Sequence, residues 1–120
     1  MQAVILAGGM GMRLRPLTNT IPKPMVKVGG KPILEHTLSI LPKEIDEAII
    51  VVGYRGDVVK KHFKDFFGNV RLKYVDQDEP KGTAHCLYIA KPFIGNGPFL
   101  LLSGDDIYHC DDLAYCVEKK

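Results

Sequence analysis

The sequence has little of what marks the special protein classes. Its three cysteines, Cys86, Cys110 and Cys116, are odd in number and lack Cys-x-x-Cys spacing, so a zinc site is not expected. Free thiols fit a reducing compartment, and the expected location is cytoplasmic. No block of lysine and arginine occurs, and the formal charge is only +2. Neither nucleic acid nor a membrane is therefore expected as a partner. The first apolar stretch, residues 3–7, is far too short for a signal or membrane-spanning segment, and no basic region precedes it. No repeat, low-complexity stretch or linker divides the 120 residues, which predicts one domain with one hydrophobic core.

What is present is an alternation of apolar runs and helical patterns. The runs 3–7, 48–52, 70–75 and 99–102 are rich in Val, Ile, Leu and Phe. Three are nearly continuous, as strands buried on both faces should be. The run 70–75 alternates, with Val70, Leu72 and Tyr74 against Arg71 and Lys73, which predicts a more exposed, edge-like strand. Between the runs, apolar spacing predicts helices over 33–41, with Pro32 at the first turn, and over 57–67, ending at Gly68. Thr83 can cap a third helix through about Lys91, ended by Pro92, and Asp111 or Asp112 a fourth. Strand–helix alternation implies βαβ units, a mostly parallel sheet and the α/β class.

The first strand leads directly into Leu6-Ala7-Gly8-Gly9-Met10-Gly11-Met12-Arg13. Glycine lets the backbone turn tightly and approach a ligand, and exposed N–H groups there form an anion cradle. Arg13 adds a permanently charged planar donor suited to phosphate. A Walker A loop would need Gly-Lys-Ser/Thr where Met12-Arg13-Leu14 stands. A dinucleotide fingerprint would need a third glycine at Leu14 and an acid closing the second strand, which instead ends Val52-Gly53-Tyr54. Downstream, Pro22 and Pro24 restrict the backbone on both sides of Lys23, which makes it a candidate second phosphate contact in an extended loop.

Two further segments follow strands. Asp76-Gln77-Asp78-Glu79-Pro80-Lys81-Gly82-Thr83 reads first as a polar turn with a helix cap, although the Gln77 amide offers the donor and acceptor that a pyrimidine edge pairs with. Ser103-Gly104-Asp105-Asp106 puts carboxylates after the last strand, where they can hold a magnesium ion or merely cap a turn.

In combination these segments are specific. Leu-Ala-Gly-Gly-x-Gly-x-Arg-Leu-x-Pro-Leu-Thr, then Pro22-Lys23-Pro24-Met25, then Gly30-Lys31-Pro32-Ile33-Leu34, resemble the opening of the sugar-1-phosphate nucleotidyltransferases. Met12 departs from the pattern, standing where many members carry a small hydroxyl residue. The resemblance implies a Rossmann-like three-layer fold with strand order 3-2-1-4. It implies a nucleotide site of Leu6, Ala7, Gly8, Gly9, Gly11, Gln77 and Gly82, with Arg13 and Lys23 as catalytic residues and Mg²⁺ on Asp105. The expected partners are a nucleoside triphosphate, UTP or dTTP being favoured, and a sugar 1-phosphate; a homo-oligomer is also expected. Residues 1–120 match the nucleotide-binding part of the family's domain, so a truncated domain without the sugar-binding part is expected. The alternatives from other classes are a non-catalytic regulatory subunit and a plain nucleotide-binding module.

Overall fold

The computed structural model describes residues 1–7, 23–53, 56–77, 83–95, 97 and 99–103. Its centre is a strand, β1 (Gln2–Ala7), whose residues 3–5 are wholly buried. On one side β1 pairs in parallel with β4 (Glu47–Val52), from Gln2 opposite Glu47 to Ala7 opposite Val52. On the other side it pairs in parallel with β7 (Phe99–Ser103), Leu6 standing opposite Ser103. β4 in turn pairs in parallel with β6 (Val70–Asp76). The sheet order β6-β4-β1-β7 is the predicted 3-2-1-4.

Continuous apolar runs form the inner strands because both of their faces are covered. Ala3, Ile5 and Ala7 of β1 face the helices α1 (Ile33–Ser39) and α2 (Gly56–Phe63), where Leu34, Leu38, Val59 and Phe63 close one core. Val4, with Ile49 and Val51 of β4, faces α3 (Thr83–Ala90), where Ala90 and the half-buried Leu87 close the other. These are the three predicted layers. Each fully buried Ile, Leu or Val contributes roughly 1.5–3 kcal/mol relative to exposure.

Several element boundaries differ from expectation for local reasons. α1 stops at Ser39 rather than 41, and Ile40 leaves the helix at φ −107°, ψ 8°. Pro42 disfavours helical geometry at Leu41, so the chain has to unwind there. α2 stops at Phe63 rather than 67 because Lys64 takes φ 57° and its N–H donates to the Lys60 carbonyl at 2.9 Å. This is a left-handed helix cap made without glycine. Phe66 and Phe67, predicted helical, form β5 (Phe66–Phe67), antiparallel to the start of β6 across a turn with Gly68 at φ 61°. On the side away from β4, β6 therefore has a neighbour only along its first two residues and is edge-like beyond them among the described residues.

A hairpin that the apolar runs did not predict joins β2 (Lys27–Val28) to β3 (Lys31–Pro32). Gly29 and Gly30 take φ 63° and 85°, the two positive values that a two-residue turn of this kind demands. The predicted end of α3 near Pro92 is observed, as a short 3-10 turn over Lys91–Phe93. The predicted fourth helix lies outside the described residues.

Candidate active site

Because β1, β4, β6 and β7 are parallel, their carboxyl ends share one edge of the sheet. Ligands of open α/β sheets bind at this edge. Here it carries Ala7, Val52, Asp76 and Ser103, followed in sequence by the glycine segment, Gly53, Gln77 and Asp105. The chemistry singled out in the sequence thus follows the ends of β6, β1 and β7, three strands of this one sheet.

Leu6 and Ala7 end the central strand, Leu6 half-buried toward α3 and Ala7 buried toward α1 and α2. They form the apolar root of the glycine segment. Lys23 begins a 3-10 turn, Lys23–Met25, rather than an extended loop. Pro24 and Met25 are buried against the helices, and Ile33 N–H donates to the Val26 carbonyl at 3.0 Å. Proline's fixed φ is compatible with such a turn, so Pro24 anchors the Lys23 backbone to the core. Gly8, Gly9, Gly11, Arg13, Gly82, Asp105 and its neighbour Asp106 lie outside the described residues.

Gln77 is the most informative described residue. Its N–H donates to the Val52 carbonyl at 2.7 Å, which extends the β4–β6 ladder one position past the strand. The residue is only 7% exposed, and Nε2 is buried with no hydrogen-bond partner among the described residues. An unmade amide bond in such surroundings costs roughly 1–3 kcal/mol. Folded proteins retain such groups sparingly, and a ligand contact is one reason to keep one.

Polar contacts flank this position. Asp76 receives Lys60 Nζ from α2 at 2.9 and 3.0 Å on its two oxygens. Gly56 opens α2 so close to β4 that a Cβ there would meet Val52 Cγ2 at 2.8 Å. Any side chain at 56 would push the helix off the sheet. Among the described residues no group of three or more His, Cys, Asp or Glu gathers as for a metal, and no helix is long and apolar enough to cross a membrane.

The family profile described as nucleotidyl transferase matches residues 2–120. The chain belongs to the nucleotidyl transferase family. It is 41% identical over 112 residues to a UTP–glucose-1-phosphate uridylyltransferase of Haloferax volcanii, covering 92% of this chain and 46% of that protein. It is 39% identical over 112 residues to a D-glycero-α-D-manno-heptose 1-phosphate guanylyltransferase of Campylobacter jejuni, covering 92% and 50%. Its fold matches a crystal structure from Bacillus anthracis named as a glucose-1-phosphate thymidylyltransferase, with TM-score 0.85 and 31% identity over 99% of this chain and 50% of that one. The resemblance read from the glycine, Pro-Lys-Pro-Met and Gly-Lys-Pro-Ile-Leu segments therefore holds, and so does the fold expected from it. The chain spans between a quarter and a half of the curated nucleotidyltransferases it matches.

Proposed function

We propose that this chain supplies the nucleotide-binding part of a sugar-1-phosphate nucleotidyltransferase, with UTP or dTTP as the favoured nucleotide. The phosphate oxygen of the sugar 1-phosphate attacks the α-phosphorus of the triphosphate. The bond to the bridging oxygen breaks, and pyrophosphate leaves with the electron pair. The nucleophile is already anionic near neutral pH, so no general base is needed; alignment and charge neutralisation do the catalysis. In this reading the N–H groups of Gly8, Gly9 and Gly11 and the charges of Arg13 and Lys23 hold the triphosphate. Leu6 and Ala7 support that segment from the sheet. Gln77 and Gly82 hold the base. Mg²⁺ is assigned to Asp105 on donor chemistry, a carboxylate being the hard oxygen ligand this ion takes. When bound, it would neutralise phosphate charge.

The observation that carries the reading is the buried Nε2 of Gln77, without a partner among the described residues, at the carboxyl edge of the sheet. A uracil or thymine ring offers a carbonyl acceptor for Nε2 and an imide N–H donor for Oε1. Turning the amide toward the base replaces an unmade bond with two made ones. The glutamine favours a pyrimidine, and a guanylyltransferase among the relatives makes the base a matter for direct test. In the full-length protein, Gln77→Ala should weaken UTP or dTTP binding about tenfold and leave ATP binding unchanged. Calorimetric titration with all four bases measures this, and a variant that binds every nucleotide as the parent does would remove the base assignment.

A further inference from the structure

Gln77 can read a base only if the end of β6 is held still, and the ladder provides half of that hold. Asp76 sits in register with Val52, and the Gln77 N–H reaches the Val52 carbonyl. β5 borders only Val70 and Arg71, so among the described residues no strand flanks 72–76 on the far side. A half-free strand end frays, and its last side chains lose their aim.

We propose that Lys60 and Asp76 are a positioning pair that fixes Gln77 and thereby sets base selectivity, an inference that rests on the base-contacting role given to Gln77 above. Lys60 Nζ touches both Asp76 carboxylate oxygens, at 2.9 and 3.0 Å. Its helix is a firm anchor. Val59 and Phe63 are buried in the core on either side of Lys60, and Gly56 sits against Val52 and near Asp76 Oδ1. Asp76 is therefore tied to β4 by its backbone and to α2 by its side chain. Strand alternation turns Asp76 toward α2 and Gln77 toward the α3 face, so the pair leaves the base position open. Movement of one residue nevertheless carries the next. Both side chains are substantially exposed, so the pair adds little to stability. Its contribution lies in geometry.

The test measures nucleotide affinity of the full-length protein for UTP, dTTP and ATP in Lys60→Ala, Asp76→Ala, the double variant and Lys60→Arg. Each single alanine variant should weaken binding of the preferred pyrimidine nucleotide roughly three- to tenfold, change ATP less, and leave the melting temperature within a degree or two. The double variant should resemble either single one, because one contact is lost in all three. Lys60→Arg should restore selectivity, since a guanidinium can also engage both oxygens. Equal weakening for every base would reveal a purely electrostatic role and overturn the positioning claim, as would unchanged affinities. Gln77→Ala, run in parallel, separates the two readings. If it abolishes selectivity while the pair variants do not, only this inference fails; if it has no effect, both fail.

Discussion

Two glutamines occupy opposite ends of the same sheet and use the same amide in opposite ways. At the amino edge, Gln2 satisfies its amide internally. Nε2 donates to Glu47 Oε1 at 2.6 Å and to the Phe93 carbonyl at 2.9 Å, while Oε1 accepts from Gly95 N–H at 2.7 Å. Around it the N-terminal ammonium meets Asp46 at 3.4 Å and Lys73 meets Glu47 at 3.4 Å. At the carboxyl edge, Gln77 is more deeply buried and leaves Nε2 without a partner among the described residues. Among the described residues, the amide at one end is used up within the fold, and the Nε2 at the other is not. Residue type alone distinguishes neither role. What the amide touches does.

The comparison can be broken in several places. The largest effect is expected from the proposed metal ligand. On the function proposed above, Asp105→Asn in the full-length protein should cut Mg²⁺-dependent nucleotide-sugar formation by at least about 100-fold with the fold intact, and Asp106→Asn should do less. Metal titration of both variants would show whether the role belongs to Asp106 instead. Next comes the amino edge. Gln2→Ala removes the contacts to the Gly95 N–H, the Phe93 carbonyl and one Glu47 oxygen, all within reach of water, and should cost about 1–1.5 kcal/mol in denaturant unfolding. Nucleotide affinity should not change, and a loss of affinity would show that the two ends are coupled.

The smallest effect is expected at Tyr74, whose hydroxyl donates to the Lys64 carbonyl at 2.6 Å away from both edges. Burial, helped by the nearby Asp65 carboxylate, pushes its pKa up from 10.0 to about 12. The folded value lies above the unfolded one, so the contribution is complete below pH 10 and lost as pH rises through about 12. The stability gap between the wild-type protein and Tyr74→Phe should therefore close across that window. At neutral pH the gap should be no more than about 1 kcal/mol, and a gap that persists at high pH would mean that the phenol titrates normally.

Much of this architecture was legible in residue order. The four apolar runs are the four parallel strands, and their order follows the family resemblance. The misses have local causes. Phe66 and Phe67 continue the helical spacing of Val58, Val59 and Phe63, and the residue that ends α2 is Lys64, with none of glycine's signal for a positive φ. The β2–β3 hairpin has strands too short to register as apolar runs, although Gly29-Gly30 was a usable turn signal. In the site, the motifs pointed to Gln77, but the environment of its Nε2, buried and without a partner among the described residues, is set by the fold and not by the motif. The Lys60–Asp76 contact joins residues 16 apart in sequence and had no sequence signature at all.

The register of β1 has a further consequence for how this chain tolerates change. A slip of one residue against β4 or β7 would exchange Ala3, Ile5 and Ala7 for Val4 and Leu6 across the sheet. The same slip would move the end of β1 by about 3.3 Å relative to Gln77. Core quality and the spacing of the proposed nucleotide site are thus read off one ruler, and a single-residue insertion or deletion in β1 should spoil both at once. A bound nucleotide, favouring only the correct alignment, would act as an editor of strand register.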